Sequence, residues 1–263
     1  MRFAELTRRD IAALDRDRML VVAPLGSCEQ HGRHLPVFTD SILVTAVAER
    51  LEAAREGDVL LLPTLWVGAS EHHLPFGATI TPDPLTYVQF LVSTYESVLG
   101  LGFKRFFFLN GHGGNIVPLR LALRELKRRF PDRLLAGAAY WELAMDEIAA
   151  LCRGPRKLVG HGGEIETSLL LALHPELVRT DAFVDEPSHP SCDYFVAETL
   201  AEQSSSGAVG YPTYATEETG KKLLEVIVRK VTARVDELLS APLPAETWST
   251  EAIWSPRGER ASG

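Results

Sequence analysis

The stretch MLVVAPLGSCEQHGRHLPVFTD, residues 19–40, places an apolar run directly before a polar loop. Met19 to Leu25 carries no charge and ends at Gly26, the pattern of a strand buried on both faces of a sheet. The loop behind it holds Glu29, His31, His34 and Asp40. A helix with a wide apolar face, including Leu43, Val44, Val47 and Leu51, is expected from about Ser41 to Arg55. A buried strand that feeds a loop and then a helix is the building unit of an α/β fold with parallel strands.

The same unit recurs along the chain. Val59 to Val67 is expected as a strand ending in GASEHHLPFGATITPDP, with a helix from Leu85 to Leu99. Arg105 to Leu109 is a strand before the loop NGHGGN, and the helix Ile116 to Arg129 follows. Arg133 to Tyr140 is expected as a fourth strand, Gly163 to His174 as a helix closed by Pro175, and Glu217 to Leu239 as a long helix capped by Thr216. Asp181 to Thr213 is an irregular excursion. Residues 1–240 are expected to form one α/β domain. Residues 241–263, with Trp248 and Trp254, are expected as a tail that lies on the surface or is partly disordered.

Composition narrows the function classes. The 263 residues are 46% hydrophobic and 24% charged with net charge −8, which argues against nucleic-acid binding, where clustered Lys and Arg neutralise phosphates. Cys28, Cys152 and Cys192 make neither a fully paired disulfide framework nor a CxxC metal site. The first eighteen residues are too charged for a signal peptide, and no apolar run approaches the ~20 residues of a membrane span. A soluble, cytoplasmic protein is the expectation, with no membrane partner.

Six of the eight histidines fall into four short polar clusters: His31 and His34, His72 and His73, His112, and His161. The first three clusters each follow a strand, where ligands bind in open α/β sheets. Imidazole with carboxylate suits zinc, manganese or iron without thiolates. Asp40 has an alternative reading as the N-cap of the helix that follows, and NGHGGN as an anion cradle or a close backbone approach to a metal. Glu166 shares a helix face with Leu169, Leu170 and Leu173, so it needs a metal or a buried Arg beside it, whereas Glu164 projects elsewhere. No GxSxG is present, and Cys28 beside Glu29 is better read as a packing residue than as a nucleophile.

Together GSCEQHGRHLPVFTD, GASEHHLPFGAT, NGHGGN and HGGEIETS resemble the creatininase (creatinine amidohydrolase) family, in order and spacing, and GAVGYPTYATEETG also fits. The resemblance implies a three-layer α/β/α sandwich with a mostly parallel central sheet and two divalent metal ions. Zinc is the expected metal, with zinc, manganese or iron in the second site. By motif position Glu29 would bind the first ion, His31 the second, and Asp40 both, with His112 and Glu166 completing the second ion's shell. His161 would be the proton-transfer residue, and Ser70 and Gly113 would contact substrate. Creatininase itself carries a glutamate two residues after the histidine of NGHGGN, where this chain has Gly114, and Gly77–Ala78 stand in place of Pro–Gly. These departures place the chain in the GHGGN-type branch. The resemblance, with these departures, implies a metal-dependent amidohydrolase acting on a cyclic amide or formamide of a small polar substrate rather than on creatinine, and the family's assembly implies a homohexamer. The alternatives are a peptidase of the mycofactocin-precursor type and a non-catalytic ligand-binding or scaffold protein with a degenerate metal site. His34, His72 and His73 receive no role.

Overall fold

The computed structural model describes residues 1–187 and 196–245. Cys192, Trp248, Trp254 and the rest of the tail beyond residue 245 lie outside the described residues. Four strands, β1 (Leu20–Leu25), β2 (Val59–Leu61), β3 (Arg105–Asn110) and β4 (Leu134–Ala139), form one sheet in the order β2-β1-β3-β4, every neighbour parallel. Apolar residues alternate between its faces. Leu20, Val22, Phe107 and Leu109 enter one core, while Val21, Ala23, Phe106 and Phe108 enter the other.

After the short α1 (Arg8–Ala13), helices α2 (Thr39–Ala54), α6 (Glu164–Leu173) and α8 (Glu217–Ser240) pack on the first face. Helices α3 (Pro84–Leu99) and α4 (Ile116–Arg129) cover the second. The short α5 (Met145–Leu151) packs against α8, and α7 (Leu200–Gln203) lies in the excursion. The α/β/α layering is as expected. No helix among the described residues is long and apolar enough to cross a membrane.

Two boundaries differ from the sequence reading. β2 ends at Leu61 rather than Val67, because Pro63 has no amide to donate to the ladder; pairing with β1 resumes only where the Leu65 amide donates to the Pro24 carbonyl at 3.0 Å. Helix α2 begins at Thr39 with Phe38 as its N-cap, so Asp40 lies inside the first turn and is not the cap. Ala78 sits at φ 49° in the left-handed region, which costs an L-residue about 1–2 kcal/mol.

Candidate metal centre and active site

The loops at the carboxyl ends of β1, β2 and β3 are knitted together by two asparagines that the sequence reading left without a role. The Asn115 side chain donates to the Gly26 carbonyl (3.0 Å) and accepts from the Ala69 amide (2.9 Å). Asn110 accepts from the His112 amide at 3.1 Å. These bonds satisfy buried backbone groups in three separate loops and fix where their side chains point. Gly111 permits the close approach of this loop to α2: a Cβ there would lie 2.6 Å from Val44 Cβ.

Glu29 and His31 come from the β1 loop, Asp40 from α2, His112 from the β3 loop, Glu166 from α6, and His161 from the segment leading into α6. Glu29 and His31 are fully buried, and Asp40, His112 and Glu166 are at most 5% exposed. The histidines share one design. His31 Nδ1–H donates to the Glu29 carbonyl (3.0 Å), His112 Nε2–H to the Ala69 carbonyl (2.9 Å), and His161 Nε2–H to the Gln30 carbonyl (2.7 Å). Each ring therefore turns its lone-pair nitrogen toward carboxylate oxygens, as metal-ligating histidines do. His31 Nε2 lies 3.1 Å from Asp40 Oδ1; His112 Nδ1 lies 2.9 Å from Asp40 Oδ2 and 3.1 Å from Glu29 Oε1.

Lone pair against lone pair at this distance is repulsive unless a cation or proton lies between. Both Glu29 carboxylate oxygens are buried and lack a hydrogen-bond partner, a costly state for a carboxylate that a cation would relieve. Separations near 3 Å are those of neighbouring ligands held at about 2.1 Å from one ion. The residues present fit divalent metals.

The ligand atoms fall into three overlapping groups: Glu29, Asp40 and His112; His31, Asp40 and Glu166; and Glu29, His31 and His161. His112 thus gathers with Glu29 and Asp40, not with His31 and Glu166 as the motif positions implied. The first group then has three donors despite Gly114. A Cβ at Gly114 would meet the Ala69 carbonyl oxygen at 2.1 Å and His112 Nε2 at 2.5 Å, so this backbone admits no side chain there. Ser70 needs a second correction: it is fully buried behind His112, its Oγ 3.2 Å from Nε2, and does not line the cavity. Gly113 does line it.

Glu164 accepts from the amides of Arg153 (2.6 Å) and Gly154 (2.8 Å), which fastens the preceding loop and removes it from the ligand set. His34 bonds to the Gly162 carbonyl, and burial lowers it to about 4, so it packs as a neutral ring. Gln30 is a positioning residue the motifs did not reveal. Its side chain accepts from the Gly32 amide and donates to the Gly207 carbonyl (both 2.9 Å), which orients the amide and aims a second N–H at His73 Nδ1, 3.0 Å away. His73 Nε2–H is left facing Glu29 Oε1 at 3.4 Å.

The electrostatics follow from burial and crowding. Burial opposes a charge on His31, but Asp40, Glu166 and Glu29 outweigh it and lift the imidazole to about 10. Burial works against ionisation of Asp40, yet His31 and His112 hold it well below the carboxylate range. Glu166 is pushed up to about 7 by burial, with the Asp40 and Glu29 charges adding to it against His31. His161 is kept neutral by burial and by His31.

The cluster opens into a cavity of about 410 Å³ whose walls include Trp141, Leu200 and Gln203. Trp66 stands outside it, 44% exposed against Phe38. The wall formed by the excursion is held by two backbone bridges, His161 with Val209 and Glu186 with Gly210. Glu186 also gathers Ser204 Oγ (2.7 Å), the amides of Ser205 and Ser206, and Ser206 Oγ. Burial raises this carboxyl, but the hydroxyls and amides outweigh it and bring it down to about 2. A lowered carboxyl contributes stability above the unfolded value of about 4.5 and loses it as pH falls toward 2. Melting of the metal-free protein is therefore expected to decline more steeply from pH 4.5 to 2 than that of Glu186→Gln. Parallel declines would contradict the clamp.

A buried histidine–carboxylate cluster at the carboxyl edge of a parallel sheet is the layout of a metallohydrolase. The family model described as Creatinine amidohydrolase matches residues 4–235. The mycofactocin precursor peptide peptidase of Mycobacterium ulcerans is 31% identical over 232 residues, covering 84% of this chain and 86% of that protein. The creatinine amidohydrolase of Pseudomonas putida is 31% identical over 236 residues, covering 83% and 89%. A zinc–zinc form of a mutant creatininase superimposes with a TM-score of 0.80 at 28% identity, over 91% of this chain and 98% of that one. The chain belongs to the creatininase family and is an amidohydrolase of that family.

Proposed function

We propose that this protein is a metal-dependent amidohydrolase that cleaves a non-peptide carbon–nitrogen bond, in a cyclic amide or a formamide. The observation that carries the reading is the set of imidazole nitrogens aimed at buried carboxylates, among them Glu29, neither of whose oxygens makes a hydrogen bond. Glu29, Asp40 and His112 would hold one divalent ion, and His31, Asp40 and Glu166 a second, zinc first in order and manganese or iron next. When bound, such ions supply Lewis acidity: they lower the pKa of water and draw charge from a carbonyl oxygen.

The chain's own groups do the rest. The Nε2 proton of His161 is committed to the Gln30 carbonyl, so Nδ1 takes up a proton and hands it to the leaving nitrogen. Trp141 and Leu200 give the cavity an apolar wall, and Gly113 offers substrate a contact without a side chain in the way. A homohexamer in the cytoplasm goes with this reading, the oligomer being checked by light scattering.

The test is a panel of creatinine, formamides, lactams and short peptides, assayed with zinc, manganese and iron. Turnover of a formamide or lactam with about two metal ions per chain is expected. Exclusive turnover of peptides would assign the peptidase activity of the Mycobacterium relative instead. No turnover and no metal would leave a ligand-binding or scaffold protein.

A further inference from the structure

The metal cavity does not end at its own walls. Through His72, Gly113, Gly114 and Gln203, which line both, it runs into a second depression of about 720 Å³ between α3, α4 and the segment 196–203. This groove is apolar. Leu85 and Val88, three apart on α3, face Val117 and Leu121, four apart on α4, with Val196 opposite. Leu85 is 70% exposed, Val117 73%, Leu121 50% and Val196 44%, an aligned patch of large aliphatic side chains of the kind that marks a binding surface. Among the described residues neither the cavity nor the groove is lined by Lys or Arg, whereas Glu71, Glu198 and Glu202 stand along the groove.

We infer that the substrate is an amide bearing an extended apolar substituent, uncharged or cationic at its far end, which lies in this groove while the amide sits at the metal cluster. The inference rests on the hydrolase reading above and departs from the small polar substrate that the motifs implied. Three features fix the occupant. The groove is continuous with the reacting centre, its walls are aliphatic, and its acidic border repels an anionic end. The junction is open as well: a Cβ at Gly113 would meet no atom within 4 Å.

The test uses hydroxamates, which chelate metal and are read by binding rather than turnover. Titration calorimetry on the zinc-loaded protein compares two series, one lengthened from the carbonyl carbon and one from the nitrogen. Affinity in one series is expected to rise about fourfold per added methylene, the equivalent of about 0.8 kcal/mol per buried CH₂. A terminal carboxylate should weaken binding relative to the alkyl chain of equal length.

Val117→Asp should flatten the rise; an acidic residue in the first turn of α4 is compatible with the helix dipole and leaves the fold intact. Binding that is independent of chain length in both series would overturn the groove while leaving the metal centre standing. No hydroxamate binding at all would overturn the hydrolase reading and the groove with it. A flat series together with dissociation of an oligomer in Val117→Asp, seen by light scattering, would assign the patch to a second copy of the chain and overturn the substrate role.

Discussion

Asp40→Asn is expected to leave a folded chain that holds metal at neither ligand group and has lost turnover by about 10³-fold or more. The size of the effect follows from position. Asp40 is the one residue common to the Glu29–His112 group and the His31–Glu166 group, with one oxygen facing each histidine. Asparagine preserves its volume and still accepts the Ser27 hydroxyl, which donates to Asp40 Oδ2 at 2.7 Å, so the first turn of α2 has no reason to melt.

Stability gives a readout independent of activity. Metal at a thousand times its Kd stabilises a protein by about 4.1 kcal/mol, which in a chain of this size is roughly 10 °C in Tm. A chelator should lower the Tm of the parent protein by that order and barely move that of Asp40→Asn. Equal metal content in the two proteins, by elemental analysis, would refute the shared-ligand assignment.

His161→Ala separates proton transfer from metal binding. If Nδ1 carries the proton to the leaving nitrogen, kcat falls by about 10²–10⁴ while both ions stay bound and KM changes little. The competing role is visible in the same geometry, because Nδ1 lies 3.6 Å from Glu29 Oε1 in the third ligand group. Metal content decides between them. Loss of an ion would make His161 a ligand, and an unchanged kcat would exclude it from the proton path.

Much of this was legible in the chain because buried parallel strands write themselves as unbroken apolar runs. Leu20–Leu25 and Arg105–Asn110 appeared within a residue of their ends. Val59–Val67 was overextended, since hydropathy does not register that Pro63 lacks a donor. The burial of Glu166 is legible too, since a carboxylate on an apolar helix face points inward and needs a partner there.

What the sequence does not carry is which atoms meet. The grouping of His112 with Glu29 and Asp40, and the retreat of Ser70 behind His112, depend on how three loops are tied by Asn110 and Asn115. Those ties join positions such as Gly26 and Asn115, far apart along the chain. Gln30 was missed for a related reason, since its partner Gly207 is brought to it only by the folding of the excursion.

The crowding at Gly114 reaches beyond the site itself. A glutamate in the style of creatininase cannot be grafted there by one codon change, because its first carbon would occupy the space of the Ala69 oxygen. For this chain to carry a side chain there, the loop between β3 and α4 would have to be re-routed, and moving it would displace His112. At this position the obstacle to a glutamate is therefore crowding against the backbone rather than against movable side chains. Directed evolution toward creatinine would do better to begin from loop insertions between β3 and α4 than from point mutations.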